Sequence, residues 1–192
     1  MLGWLTHAFA AMCPAADAGS ITRCSVSMLG VELAAHLPLL GSVLYLPAPR
    51  PAPQDLPVCT GWLVAQCELA PLFDTRELVA ASMIGAEGPR EWIDCMDAQG
   101  RPCARLHLLP DTDYLAWDAL LAGSRLLPLA PLRPERLVCR AASATLAQFR
   151  HRRVGALQLL ETMPLAKVSA LGRGIAGEVA RAAAVELEPT LG

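Results

Sequence analysis

Lysine is almost missing from this chain: Lys167 is the only one in 192 residues. Arginine carries the rest of the positive side-chain charge at neutral pH, and the formal net charge is only −2. A phosphate-binding domain presents a basic face, so this balance gives no electrostatic reason to expect nucleic acid. Cys-x-x-Cys and Cys–His clusters at zinc spacing are also absent, although the chain holds Cys13, Cys24, Cys59, Cys67, Cys95, Cys103 and Cys139. A structural zinc site is not expected, and the thiols read as small buried hydrophobes. No uncharged apolar run reaches the ~20 residues that span a bilayer, because Arg, Glu, Asp or Pro interrupts each candidate. Met1 to Met12 is apolar but lacks a basic leading segment. It is followed by Cys13-Pro14 where a signal peptide has small residues, which points to the cytoplasm and against membrane insertion.

Signs of the commoner enzyme sites are missing too. Ser20, Ser25, Ser42 and Ser82 stand outside any Gly-x-Ser-x-Gly elbow. Asp94, Asp97, Asp111 and Asp113 are spaced as turn and cap residues and not as a facing carboxylate pair. Gly172-Arg173-Gly174-Ile175-Ala176-Gly177 lacks the glycine spacing of a dinucleotide fingerprint and follows no predicted strand, which argues against nucleotide binding. No catalytic residue is nominated.

The chain does have apolar content, 54% of its residues, enough for one well-buried core and cramped for two. We expect a single domain over 1–192, with a helical segment at about 1–38 and another at about 143–188. The most legible stretch is Trp92 to Ala122. Trp92 to Met96 forms one arm of a hairpin, Asp97-Ala98-Gln99-Gly100 the turn, and Cys103 to Leu109 the second arm, with Pro102 at its start. Alternation on the second arm puts Cys103, Arg105, His107 and Leu109 on one face and Ala104, Leu106 and Leu108 on the other. Cys95 and Cys103 then lie on adjacent strands. Pro110-Asp111-Thr112-Asp113 supplies a stop, an N-cap and a first-turn acid for a helix over Tyr114 to Ala122, closed by Gly123, with Trp117 on its buried face.

Elsewhere, Ile21 to Leu37 reads as helical, with His36 in its last turn and Pro38 beyond it. Leu44 to Leu46 reads as a strand, Pro47 to Pro53 as a polyproline-like connector, and Cys59 to Gln66 as a strand with Trp62 and Val64 on one face. Arg76 to Met83 fits either a strand or a helix. Prolines break Leu126 to Arg136, after which Leu137 to Arg140 reads as a last strand. Ala144 to Arg150 reads as a helical turn or two, and Val154 to Leu187 as two helical pieces, the second opened by Pro164. The fold class expected is α+β, an antiparallel sheet built from strands near Val43, Trp62, Trp92 and Leu106, with helices at the N- and C-terminal ends.

The order of aromatic strand, Asp-Ala-x-Gly turn, apolar strand, Thr-Asp pair and aromatic-bearing helix resembles the proteobacterial haem-utilisation proteins. That group comprises haemin-degrading and haemin-transport proteins and single-domain haem chaperones. Asp97, Gly100, Asp113, Trp117 and Leu120 carry the likeness, and Leu40 to Leu46 resembles the group's short first strand, so roughly Leu40 to Ala122 is covered. The resemblance implies a haem-binding accessory protein of bacterial iron acquisition that stores or hands over haem, with haem as its cofactor and a homo-oligomer, simplest as a dimer, as its assembly. Within it, His107 is the candidate iron ligand and Arg105 a partner for a haem propionate. Arg150, His151 and Arg152 are candidates for a second propionate clamp. His7 and His36 have no supporting neighbours. The iron-binding His that the group carries after its first strand is replaced here by the proline connector. The alternative is a non-catalytic scaffold of the same fold that has lost the haem site and acts through self-association by its apolar sheet face or through protein–protein contacts.

Overall fold

Strand alternation and β-branched residues govern more of this chain than its helix-like composition suggests. A computed structural model describes residues 21–49, 61–85, 88–128, 140–163, 165 and 168–188. Their strands are β1 (Ile21–Ser27), β2 (Gly41–Pro47), β3 (Trp62–Val64), β4 (Glu77–Gly85), β5 (Gly88–Met96), β6 (Pro102–Thr112), β7 (Leu126–Leu127), β8 (Thr145–Val154) and β9 (Leu157–Met163). The helices are α1 (Gly30–His36), α2 (Tyr114–Ala122) and α3 (Ala170–Ala182), with 3-10 segments at Leu37–Leu40 and Cys67–Asp74. All nine strands join one sheet in the order β3-β9-β8-β2-β6-β5-β4-β1-β7.

Several expectations change. Ile21 to Ser27 is a strand and not the start of a helix; Ile21, Thr22 and Val26 are β-branched, and the segment pairs along its whole length with β4. Only Gly30–His36 of that stretch is helical, and His36 does sit in its last turn. Arg76 to Met83 resolves as strand, in β4. Ala144 to Arg150 and Val154 to Met163 are not helical either: β8 and β9 form a hairpin whose Gly155 has φ +61°. The sheet is mostly antiparallel, but β3 runs parallel to β9. The described residues therefore open on a strand, and a long helix stands only near the C-terminal end. Met1 to Met12, Leu137 to Cys139 and most of the proline connector lie outside the described residues.

The central hairpin is as expected. β5 and β6 are antiparallel, and Gly100 turns between them at φ +69°, where a side chain would be strained. Asp97 closes the turn by accepting from the Gln99 and Arg101 amides through Oδ1 at 2.9 and 2.8 Å. One detail differs. The pairing slips between Cys95 and Met96, where β6 holds an extra residue, and this bulge turns Cys103 away from Arg105 and His107 into the core beside Cys95. Cys95 and Cys103 are both free, and the Cys103 thiol donates to the Cys95 carbonyl at 3.1 Å.

The two faces of the sheet have different fates. Val43, Tyr45, Ile93, Cys95, Ala104 and Leu106 face a core completed by α1, the 3-10 segments and α2. Asp113 is the N-cap of α2, its Oδ1 accepting from the Leu115 and Ala116 amides at 3.0 Å, and the helix has the expected bounds, Tyr114–Ala122. The opposite face carries a second, smaller core, in which Leu44, Leu46, Leu109 and Leu146 meet Ile175, Ala176 and Ala180 of α3. The start of α3 is tied down by Asp111, whose carboxylate accepts from Ser169 N at 2.9 Å and Ser169 Oγ at 2.8 Å. Among the described residues, that helix covers the β8-β2-β6 part of its face and leaves the β5-β4-β1 part with only its flank as a wall.

Close packing makes one glycine diagnostic. A Cβ at Gly30 would lie 2.5 Å from both the Leu72 carbonyl oxygen and the Phe73 Cα, which are backbone atoms. Gly→Ala in a helix ordinarily stabilises by roughly 0.5–1 kcal/mol. Gly30→Ala is expected to do the reverse and cost about 1–3 kcal/mol by overpacking, seen as a lower urea midpoint; a raised midpoint would show that α1 is not seated on the 3-10 segment.

Candidate functional site

On that partly covered face lies a half-open groove of about 430 Å³, floored by strands β1, β2, β4, β5 and β6 and walled by α3. Such a volume is within the ~300–1,000 Å³ typical of small-ligand pockets. Its apolar lining comes from Ile21, Leu46, Met83, Val179, Ala182 and Ala183, and its polar lining from Arg90, Arg105, His107 and Glu178, with Trp92 between them. Strand parity explains the grouping: Trp92 pairs with His107 and Asp94 with Arg105 across β5 and β6, so all four project to one side.

His107 is 7% exposed. Among the described residues no hydrogen bond reaches either ring nitrogen, and neither nitrogen is a fully enclosed polar atom without a partner. The imidazole therefore looks into the groove. Its ring lies 5.9 Å from the Trp92 ring at 34°. Burial, followed by the positive charges of Arg105 and Arg90, lowers its pKa to about 3, so it is neutral across the physiological range.

Arg105 is buried and engaged. Its Nε donates to Asp94 Oδ1 at 2.6 Å and its Nη2 to Asp94 Oδ2 at 3.0 Å, a bidentate pair in a low-dielectric setting. Its guanidinium carbon sits 5.2 Å from the Trp92 ring centroid, and Trp92 Nε1 donates to the same Asp94 carboxylate at 3.2 Å. Arg90, two residues before Trp92, reaches across the groove mouth to α3, with Nη2 at 3.0 Å from Glu178 Oε2.

The sequence-predicted basic cluster is divided by its strand. Arg150 and Arg152 share a face and converge on Glu161, with Arg150 Nε donating to Oε1 at 2.8 Å and Arg152 Nε 3.5 Å from Oε1. His151 points to the other face, where its ring meets Trp62 edge-on at 5.9 Å. None of the three lines the groove. The groove instead adds Arg90, Trp92 and Glu178. Trp92 and Arg90 share a strand face by parity, a signal available in sequence had β5 been read back to Gly88. Glu178 carries no such signal, standing 88 residues from Arg90.

Three of the described thiols are buried and offer little reactivity. Burial holds Cys24 and Cys103 up at about 11 and Cys95 well above its ordinary value. Among the described residues no three His, Cys, Asp or Glu side chains group as a metal site, and no helix is long and apolar enough to cross a membrane.

Neither a scan of protein-family models nor a search of curated sequences finds a match. Among solved structures, holo-PhuS, a heme-binding protein from Pseudomonas aeruginosa, is similar at a TM-score of 0.37 and 21% identity, over 57% of this chain. The chain spans 38% of that protein's length.

Proposed function

We propose that this chain binds haem in the groove beneath α3, with His107 as the protein's ligand to the iron, as an accessory protein that stores or hands over haem. The observation that carries the reading is His107 itself: a buried, neutral imidazole whose nitrogens have no hydrogen-bond partner among the described residues, facing a largely apolar cavity. A neutral imidazole is a competent iron ligand. With no second and third ligand grouped beside it among the described residues, the metal suited to this imidazole is one that brings its own equatorial ligands, as a porphyrin iron does. The apolar lining suits the macrocycle, Trp92 offers a flat surface beside the imidazole, and Arg105 and Arg90 place positive charge on either side for propionates. When bound, haem would supply an iron centre and its redox and ligand-exchange chemistry; the chain's residues supply position, a dry wall and charge.

The self-association reading relied on the apolar sheet face, which is filled by the chain's own α1, α2 and 3-10 segments.

Haemin titrated into the protein is expected to give a Soret band that saturates at one equivalent. His107→Ala is expected to abolish or shift that band. Arg105→Ala would remove a positive charge from the groove and leave the Asp94 carboxylate held, among the described residues, only by Trp92 Nε1, so it is expected to weaken binding while leaving the band position nearly unchanged. Featureless, non-saturating binding, or a wild type no better than the His107→Ala/Arg105→Ala double variant, would remove haem from this groove.

A further inference from the structure

Two guanidiniums flank His107, and they are held in different ways. Arg105 is 6% exposed and carries a bidentate carboxylate from its own hairpin. Arg90 has 19% of its side chain exposed, and it meets Glu178, whose side chain is 43% exposed. That contact joins the sheet to a separate helix at the groove's rim, where solvent screens the attraction and exchange of one carboxylate for another costs little. Both Arg90 and Glu178 line the cavity, and the Arg90 charge lies close enough to His107 to help hold its proton off.

We propose that Glu178 is a resident surrogate for the ligand's own acid group: it occupies Arg90 in the resting protein, and a carboxylate of the bound ligand displaces it, releasing that flank of α3 from the sheet. The inference rests on the groove being the haem site and deepens it by assigning the acid-recognition subsite and a competitor for it. No covalent change is involved. One carboxylate–guanidinium pair is replaced by another, and Glu178 gives up its contact with Arg90.

The test uses haemin and haemin dimethyl ester, which lacks both free acids, each titrated into the wild type, Arg90→Gln and Glu178→Gln by absorbance. The wild type is expected to prefer the diacid. Glu178→Gln should tighten diacid binding about two- to fivefold, the range that matches an exposed ion pair, and leave the diester unchanged. Arg90→Gln should reduce the preference for the diacid. Matching melting curves for the three proteins would show that the differences are not folding defects. Haemin that binds one-to-one while the diester binds equally well would overturn the subsite and leave the haem site standing. Glu178→Gln that leaves diacid binding unchanged or weakens it would overturn the surrogate role. Failure of haemin to bind at all would overturn the groove reading and this inference with it.

Discussion

Trp117→Ala is expected to cost on the order of 4 kcal/mol of stability, among the largest losses any single truncation in this chain should cause. Trp117 is 1% exposed and lies on α2, against the core formed by the inner face of the sheet and α1. Removing an indole there leaves a void that the surrounding Leu side chains can only partly fill. Trp117 also carries an unusual feature: its Nε1 is buried with no hydrogen-bond partner among the described residues. An orphaned buried donor costs roughly 1–3 kcal/mol, so Trp117→Phe, which keeps most of the volume and deletes the donor, should stay within about 1.5 kcal/mol of the wild type. Urea unfolding of the two variants separates the contributions. A Trp117→Ala protein with an unmoved midpoint would mean that α2 does not pack through this residue.

Trp117 was legible in the sequence because its helix has local punctuation at both ends and an apolar face between them. The β5–β6 hairpin was legible for a similar reason, since the Asp97 to Gly100 turn and the alternation after Pro102 are both local. The Cys103 bulge was not, because an inserted residue is defined by the partner strand's register and not by its own neighbours. β8 shows the same limit more strongly. Thr145 to Arg153 mixes Ala, Leu, Gln and Arg, which suit a helix, with a Leu146/Gln148/Arg150/Arg152 alternation that suits a strand. Pairing with β2 on one side and β9 on the other decides for the strand, and tertiary context overrides propensity. That decision also splits the Arg150-His151-Arg152 cluster between two faces. Of the candidate site, His107 and Arg105 could be grouped from strand parity alone. The wall that turns their sheet face into a groove comes from α3, whose position depends on the Asp111–Ser169 hydrogen bonds and on the second core, neither of which has a local signature.

His107 is also expected to make the protein acid-sensitive in a way that its replacement removes. In the unfolded chain the imidazole takes up a proton near pH 6.5, whereas in the folded protein burial and the Arg105 and Arg90 charges delay this to about 3. Between those values the unfolded state holds more protons than the folded one, so stability rises with pH. The contribution is fully present above about pH 6.5 and is lost as pH falls toward 3, at about 1.4 kcal/mol per unit. By pH 4 the loss from this residue alone should reach roughly 3 kcal/mol. The carboxylates of Asp97 and Glu161, both held below their ordinary values in the folded state, push in the same direction but mainly at lower pH. His107→Gln keeps a polar side chain without a titrating ring. Its unfolding free energy should therefore change less between pH 7 and pH 4 than the wild type's, by that same ~3 kcal/mol. Parallel pH profiles for the two proteins would mean that His107 is solvated and protonates freely in the folded state. An imidazole of that kind would not be the buried, neutral ligand on which the proposed haem site depends.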